Sequence, residues 1–338
     1  MPANLDAGQT LGHLSPWIVP DPLIAAPPAP AWGAVRIGLV NNMPDAALLR
    51  TERQFAELIA AATQGLPVQL ELYSLPAVPR TDWGREHLAT CYAPVDELWV
   101  NPPDALIVTG AEPRARNLDD EPYWDDLAGL IDWLEDHRLP AMFSCLAAHA
   151  AVLYLDRVAR RPLERKCLGI FDDEIVLGHP VTEGLLSGMP LPHSRWNEVP
   201  EDALTATGYR ILTRSAEAGV GFFARERRSL WLFCQGHPEY DGPNLLREYR
   251  RDIGRFLRRE HAVYPDLPRH YVGETETRRL LDFRRRAVAA PDEAIMAAFP
   301  SALPAGPRWD SWKPAAAHIF RNWLDRMAVT HAGERPPV

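Results

Sequence analysis

The chain has 338 residues, of which 46% are hydrophobic and 24% are charged, and its formal net charge is -9. This balance is typical of a globular protein with a sizeable core, and the length allows one large α/β domain or two smaller ones. An acidic surface repels phosphate backbones, so the composition argues against nucleic-acid binding. No apolar stretch reaches the roughly 18 residues of a membrane-spanning helix, which argues against a membrane protein.

The four cysteines show no spacing typical of a metal site or of a redox pair. Cys91, Cys145, Cys167 and Cys234 contain no C-x-x-C pattern, so neither a structural zinc site nor a thioredoxin-like motif is indicated. The N-terminus lacks the basic region and apolar core of a secretory signal peptide. We therefore predict a cytoplasmic protein with free thiols and without a bound metal.

Residues 1–33 are rich in proline and lack periodicity, which predicts an extended N-terminal arm. Strand-like and helix-like segments then alternate along the chain. The predicted strands are 35–40, 68–75, 105–109, 141–144, 209–213 and 230–234, and the predicted helices are 45–63, 123–137, 275–289 and 315–327. This alternation predicts a doubly wound α/β fold with a mostly parallel sheet flanked by helices.

We predict a single domain over residues 34–330, followed by a tail of residues 331–338. No internal repeat is present. The segment around 273–300 is rich in Arg, Pro and Ala, and we predict that it is an inserted helical element on the surface of the domain.

Cys145 stands where an apolar run changes into Ala- and Leu-rich helical sequence. Such a strand-to-helix turn lifts a side chain clear of the sheet and places it at a helix N-terminus. A thiol there is partly thiolate near neutral pH, which favours a nucleophile. The alternative is a buried structural cysteine. His149, one helical turn later, could hydrogen-bond near the site, but packing against the sheet is the favoured interpretation.

A second segment, Gly236-His-Pro-Glu-Tyr240, follows the predicted strand 230–234. His237 and Glu239 are two residues apart, so on extended chain both side chains point to one side and one can orient the other. Groups at the ends of two strands fit the rule that sites in such sheets lie beyond their carboxyl edge. A nucleophile, a base and its orienting carboxylate predict a covalent acyl-enzyme; the alternative is a loop histidine without a catalytic role.

Several motifs spread over roughly residues 35–330 resemble those of one enzyme family. They are Asn41-x-Met43-Pro44, Thr51-Glu52-x-Gln54-Phe55, Glu86-His87-Leu88, Leu106-Ile-Val-Thr-Gly-Ala111, Tyr123-Trp124, Phe143-x-Cys145, Pro192-His-Ser-Arg195, Gly236-His-Pro-Glu-Tyr-Asp241, Glu248-Tyr-x-Arg-Asp252 and Asn322-Trp323-Leu324. In this order they resemble the homoserine O-acyltransferases of methionine biosynthesis, in the homoserine O-succinyltransferase branch. The fold of that family resembles the flavodoxin-like fold of the class I glutamine amidotransferases.

The resemblance implies acyl transfer from an acyl-CoA to the side-chain hydroxyl of L-homoserine or a close analogue. Cys145 is then the residue that takes the acyl group, and His237 is the general base, oriented by Glu239. No cofactor is implied beyond acyl-CoA as a cosubstrate, and the expected partners are these small molecules and a second copy of the chain in a homodimer.

Three further residues match substrate-contacting positions of the family. Arg251, on the helix after the His-Pro-Glu segment, is implied to hold the amino-acid carboxylate, since a planar guanidinium can donate two parallel hydrogen bonds. Lys166 and Ser194 match the other two positions. The alternatives are a solvated helix face for Arg251 and a surface lysine for Lys166.

Arg114 occupies the position that helps to choose the acyl group in this family, where a small residue or a Glu is more usual. A Glu there would repel the free carboxylate of a succinyl group, whereas an Arg should attract it by a charge-assisted hydrogen bond. We therefore expect succinyl-CoA as the donor, with acetyl-CoA as the alternative.

Two other functions remain open at this point. A glutamine amidotransferase or another cysteine hydrolase could share the fold, although Phe143 and Ala147 occupy positions that are glycine in the usual Gly-x-Cys-x-Gly turn of amidotransferases. The other alternative is a non-catalytic regulatory protein that retains the fold.

Overall fold

The structure is a computed structural model that describes residues 3–4, 35–64, 68–185, 188–300, 303, 306 and 308–334. The predicted N-terminal arm lies outside the described residues except for residues 3–4. The last four residues of the predicted tail lie outside them as well.

The strands and helices alternate along the chain. The strands are β1 (Ala3–Asn4), β2 (Val35–Val40), β3 (Val68–Tyr73), β4 (Ala105–Val108), β5 (Ala141–Ser144), β6 (Arg161–Ile175), β7 (Met189–Glu198), β8 (Arg210–Ile211), β9 (Thr213–Ser215), β10 (Gly219–Val220), β11 (Phe222–Glu226) and β12 (Leu230–Cys234). The α-helices are α1 (Leu48–Thr63), α2 (Asp82–Cys91), α3 (Asp96–Val100), α4 (Trp124–Asp136), α5 (Leu146–Asp156), α6 (Glu201–Ala206), α7 (Asn244–Leu257), α8 (Glu274–Ala289) and α9 (Lys313–Glu334). Short 3₁₀ helices cover Leu118–Asp120, Pro180–Thr182 and Glu293–Ala298.

The main sheet has the strand order β1-β3-β2-β4-β5-β12-β11-β8. Its central strands, from β3 to β12, pair in parallel, while β1, β11 and β8 are antiparallel additions at the two edges. Counted along the chain, the parallel strands follow the flavodoxin-like order 2-1-3-4-5. The predicted fold class is therefore confirmed.

Helices cover both faces of this sheet and enclose two separate cores. Apolar residues of α4 and α5 pack on one face, and those of α1 and α9 pack on the other. The strands β4 and β12 are apolar throughout because both of their faces are buried. The arrangement places the carboxyl ends of β4, β5 and β12 at one edge, which is where the candidate site lies.

A second sheet, in the order β10-β9-β6-β7, was not predicted. Its main part is the long hairpin of β6 and β7, whose first residues are exposed and charged and therefore lack the apolar run of a central strand. The predicted strand 209–213 is divided between the two sheets, since β8 pairs with β11 and β9 pairs with β6.

The helix predicted over residues 275–289 is present as α8, but it is not a surface elaboration. Leu280, Phe283 and Ala287 are buried and form a third core with residues of β6 and α7. Their spacing of three and four places them on one helix face, which the many arginines of this segment conceal in the sequence.

The final helix, α9, runs beyond both the predicted helix and the domain boundary that we placed at residue 330. Trp323 and Phe320 anchor it in the core that it shares with α1. No helix in the described part of the chain is long and apolar enough to cross a membrane.

Candidate active site

Cys145 occupies the sharp turn between β5 and α5. Its backbone angles are φ 51° and ψ -113°, an unfavourable conformation for a residue with a side chain. The Cys145 amide donates to the carbonyl of Cys234 on the neighbouring strand, 2.7 Å away, which holds the turn against the sheet. The thiol is partly exposed, whereas that of Cys234 is buried. The strand-to-helix position predicted for Cys145 is therefore present.

Gly110, at the end of β4, packs directly against the first turn of α5. A Cβ atom added to Gly110 would lie 2.6 Å from the Cβ of Leu146 and 3.0 Å from its backbone nitrogen, so only glycine permits this approach. The first amides of a helix have no acceptor within the helix. The Leu146 N–H can therefore stabilise negative charge that develops on an oxygen bonded next to the thiol.

His237 and Glu239 meet, but within a turn and not on the extended chain from which the contact was predicted, since the Tyr240 amide donates to the His237 carbonyl at 3.2 Å. The His237 Nδ1 lies 2.8 Å from Glu239 Oε1, both side chains are buried, and the Tyr240 ring stacks on the imidazole with a centroid distance of 4.0 Å. Burial lowers the pKa of His237, but the charges of Cys145 and Glu239 and their hydrogen bonds raise it well above its usual value. His237 is therefore held in its charged form beside Cys145.

The carboxylate of Glu248, on α7, contacts four polar or charged side chains. It accepts hydrogen bonds from Tyr240 Oη at 2.5 Å, from Ser194 Oγ and from Lys166 Nζ at 3.4 Å, and Arg251 lies 3.6 Å away. Burial raises the pKa of Glu248, but the charges of Lys166 and Arg251 lower it to about 2. Glu248 therefore remains ionised across the physiological range.

Asp252, also on α7, is a second carboxylate that contacts two of these side chains. It lies 2.7 Å from Lys166 Nζ and 3.1 Å from Arg251 Nε. The Lys166 side chain is 8% exposed, so the alternative of a surface lysine is wrong, while the Arg251 side chain is 46% exposed. The three predicted substrate-binding residues thus converge on one helix.

Glu248 and Tyr240 are the residues that sequence reasoning missed, although both belong to the quoted motifs. Glu248 precedes Arg251 by three positions, so the two share one face of α7. That spacing was a usable signal. The stacking of Tyr240 on His237 had no signal in the sequence.

Arg114 lies in the loop after β4, and its side chain is exposed. The backbone N–H groups of Arg114 and Ala115 donate to Glu121 Oε1 at 2.7 and 2.8 Å. Glu112, in the same loop, pairs with Arg255 of α7. The loop is therefore fixed by its contacts with Glu121 and with Arg255. The Arg114 side chain itself has no carboxylate partner among the described residues.

His149 is buried and its Nε2 lies 3.0 Å from Gln235 Oε1. Gln235 also accepts from the Val199 amide at 2.7 Å, so its oxygen is an acceptor and His149 must be the donor. Burial and the charges of nearby arginines lower the pKa of His149 to about 3. The residue therefore braces the segment before His237 as a neutral side chain, in agreement with the packing interpretation.

No group of three or more His, Cys, Asp or Glu side chains within the described residues is arranged to hold a metal ion.

The chain is similar to proteins of known name over most of its length. The family model of homoserine O-succinyltransferase matches residues 31–332. A homoserine O-succinyltransferase of Methylorubrum extorquens is 49% identical over 306 residues, which cover 89% of this chain and 91% of that protein. One of Rhodopseudomonas palustris is 46% identical over 294 residues, which cover 87% and 88%.

Among solved structures, a glutamine amidotransferase of Thermotoga maritima shows 12% identity and a TM-score of 0.46, with 87% of this chain and 97% of that chain covered. A glutamine amidotransferase of Methylobacillus flagellatus shows 13% identity and a TM-score of 0.47, with 87% and 95% covered. The family model and the sequence relatives both extend over nearly the whole chain. The chain therefore belongs to the homoserine O-succinyltransferase family.

Proposed function

We propose that the protein transfers a succinyl group from succinyl-CoA to the side-chain hydroxyl of L-homoserine, a step of methionine biosynthesis, through a thioester on Cys145. The observation that carries this proposal is the convergence of Cys145, His237 and Glu239 at the carboxyl ends of β5 and β12. Membership in the family supports the same substrates.

In the first half-reaction, the Cys145 thiolate attacks the thioester carbonyl of succinyl-CoA. The carbonyl oxygen becomes an oxyanion beside the Leu146 N–H, and the C–S bond to CoA then breaks. The CoA thiolate leaves and takes the proton that His237 holds. The enzyme is left with a succinyl thioester on Cys145 and a neutral imidazole.

In the second half-reaction, the neutral His237 accepts the proton of the homoserine hydroxyl as the oxygen attacks the Cys145 thioester. The C–S bond breaks, Cys145 leaves as the thiolate, and the imidazolium regenerates the starting ion pair. Glu239 stabilises the imidazolium and fixes its orientation through Nδ1.

The charged side chains on α7 suit a substrate amino acid, which carries both an ammonium and a carboxylate. The exposed guanidinium of Arg251 can donate two hydrogen bonds to the carboxylate, and the Glu248 carboxylate can accept from the ammonium. Lys166 and Ser194 would then orient Glu248 and contribute donors to the acceptor site.

Mass spectrometry of the protein mixed with succinyl-CoA, without homoserine, tests the proposal. We expect a covalent succinyl mass on the peptide that contains Cys145, its absence in Cys145→Ser, and loss of transfer in that variant because an alkoxide is far harder to form than a thiolate. A succinyl mass on Cys91, Cys167 or Cys234 contradicts the mechanism. Ammonia release from glutamine, or no CoA release at all, contradicts the function.

The proposal extends to the setting of the reaction. We propose that the enzyme works in the cytoplasm as a homodimer and needs no cofactor besides acyl-CoA as its cosubstrate. Light scattering of the purified protein tests the dimer, and activity retained after dialysis against a chelator tests the absence of a metal requirement.

A further inference from the structure

Tyr240 joins the catalytic histidine to the charged side chains on α7. Its ring stacks on the His237 imidazole with a centroid distance of 4.0 Å and an interplanar angle of 13°. Its hydroxyl donates to Glu248 Oε1 at 2.5 Å. Tyr240 is buried between the two. One side chain therefore contacts both the proposed base and the carboxylate proposed to bind the ammonium of the amino-acid substrate.

The His237 ring needs two contacts to keep one orientation. Glu239 Oε1 lies 2.8 Å from Nδ1 and fixes that edge of the imidazole. A hydrogen bond at one edge still allows the ring to tilt about the bond, whereas a second ring stacked on its face opposes the tilt. A reacting group is held precisely only when its neighbours fix it in every direction. Glu239 thus sets the direction of the imidazole edge, and Tyr240 sets the plane of the ring.

The position of Tyr240 depends in turn on Glu248. Besides the hydroxyl contact, Tyr240 is held by its carbonyl, which accepts from Trp312 Nε1 at 3.2 Å. The two oxygens of Glu248 have different partners, since Oε1 accepts from Tyr240, whereas Ser194 and Lys166 donate to Oε2. Burial and the charge of Glu248 raise the pKa of Tyr240 well above its usual value, so the hydroxyl remains a donor.

We propose that Tyr240 is a positioning residue that fixes the distance between the His237 base and an acceptor ammonium bound at Glu248. The acceptor hydroxyl then meets the imidazole in a reactive geometry only while Tyr240 holds both groups. A misplacement of about 1 Å between reacting groups can cost about 10²-fold in rate. This inference rests on the proposed function, because it requires a Cys145 thioester and an amino-acid acceptor.

The test is Tyr240→Phe, which keeps the stacked ring and removes the donor to Glu248. Three rates are measured separately: formation of the succinyl thioester, its hydrolysis by water, and transfer from the preformed thioester to saturating homoserine. In hydrolysis, water attacks the thioester carbonyl, His237 accepts the proton, and the C–S bond breaks to release succinate. Water uses the same base as homoserine but carries no ammonium.

We expect Tyr240→Phe to lower the rate of transfer to homoserine by about ten- to a hundredfold. Thioester formation and hydrolysis should be almost unchanged, because the stacked ring still orients His237. The loss should appear in kcat more than in KM, since the contact between the ammonium and Glu248 is kept. Tyr240→Leu also removes the ring face, so it should lower all three rates.

The matched control is Tyr271→Phe. The Tyr271 hydroxyl is also buried and donates to the Gly242 carbonyl at 2.7 Å, but it contacts neither His237 nor Glu248. Its removal should leave all three rates unchanged, which separates the loss of a buried hydroxyl from the loss of the Glu248 contact.

An equal fall of hydrolysis and transfer in Tyr240→Phe would mean that the hydroxyl only supports His237, and it would overturn the inference. Unchanged transfer in Tyr240→Phe, or near wild-type hydrolysis in Tyr240→Leu, would overturn it as well. In each of these cases the wild type still forms the thioester, so the proposed function stands. Failure of the wild type to form a thioester on Cys145 would overturn both.

Discussion

Two groups of polar side chains differ in how their charges are balanced. The paired cluster consists of Lys166, Ser194, Glu248, Arg251 and Asp252, and each of its charges already has a partner of opposite sign. The unpaired cluster consists of Glu121, Tyr123 and Arg160, whose charges act on one another. Arg160 forms no ion pair within 4.0 Å to any described residue, and the Tyr123 hydroxyl and Glu121 Oε2 have no hydrogen-bond partner.

This difference in charge balance indicates what kind of ligand the paired cluster can bind. Leaving one partner of a buried ion pair alone costs several kcal/mol, roughly 3–5, so a paired cluster favours a ligand that brings both signs of charge. An amino acid does so. The unpaired cluster contains an unpartnered donor, the Tyr123 hydroxyl, and an unpartnered acceptor, Glu121 Oε2, so a single negative group cannot satisfy both.

His237→Ala should have the largest effect, because in the proposed mechanism His237 transfers a proton in both half-reactions. We expect a loss of at least about 10²-fold in kcat with either donor, as is typical of a positioned general base. Glu239→Gln should lose less, since Glu239 orients and stabilises the imidazolium but exchanges no proton with substrate. His137→Ala, at an exposed position on the far end of α4, is the control. Near wild-type rates in His237→Ala would refute the catalytic assignment.

Arg251→Lys tests whether the paired cluster binds homoserine without taking part in thioester formation. The KM for homoserine should rise by roughly tenfold or more, because the two-point contact with the carboxylate is lost, while thioester formation on Cys145 should be almost unchanged. Measuring CoA release with and without homoserine distinguishes the two half-reactions. Arg250→Lys, on the next residue and facing the ring of Phe299, is the matched control. An equal fall in both half-reactions would make Arg251 structural.

Arg114→Glu tests the donor determinant predicted from the sequence. The Arg114 side chain is exposed, and exposed charge pairs contribute about 1 kcal/mol or less, so preference should shift toward acetyl-CoA by up to about fivefold. The measurement is kcat/KM for both donors. An unchanged preference would remove Arg114 from the choice of donor.

Asp173→Asn should leave activity unchanged and extends the comparison to a buried carboxyl that forms no ion pair within 4.0 Å with any described residue. Burial raises the pKa of Asp173 to about 7, and its Oδ1 has no hydrogen-bond partner. Since the folded pKa exceeds the unfolded one, the stability that Asp173 contributes is complete below about 3.8 and is lost as the pH rises through 7.

The Asn side chain stays neutral, so at pH 8 the variant should be more stable than the wild type by roughly 1–2 kcal/mol, part of the gain being offset by the unpaired amide. The two proteins should differ little near pH 4. Urea unfolding at both pH values measures this. Asp172→Asn, whose carboxylate is exposed and pairs with Arg308, is the control and should change stability only slightly.

Local patterns in the sequence predicted much of the fold and part of the site. The apolar run before Cys145, the Gly110 turn and the strand before His237 predicted the parallel strands and the edge at which they end, because such strands are continuous in sequence and apolar on both faces. The two-residue spacing of His237 and Glu239 likewise predicted a contact that depends on neighbouring residues only.

The β6–β7 hairpin, the burial of α8 and the partners of Glu248 could not be predicted in the same way. The hairpin begins with exposed charged residues, and α8 hides its three buried side chains among arginines, so neither segment has the periodicity of a core element. Contacts between residues far apart in the chain leave no local pattern.

The sequence by itself therefore determined the sheet and the placement of Cys145, His237 and Glu239 at its carboxyl edge, since each depends on residues that are close together in the chain. Only the tertiary structure decided which charges are paired. Arg160 stands in a stretch with several other arginines, Arg157 and Arg161 among them, and nothing in the order of residues distinguishes it from its neighbours. Whether a charge finds a partner depends on what folding brings within about 4 Å of it. Arg161 pairs with Glu198, whereas no described residue forms an ion pair with Arg160.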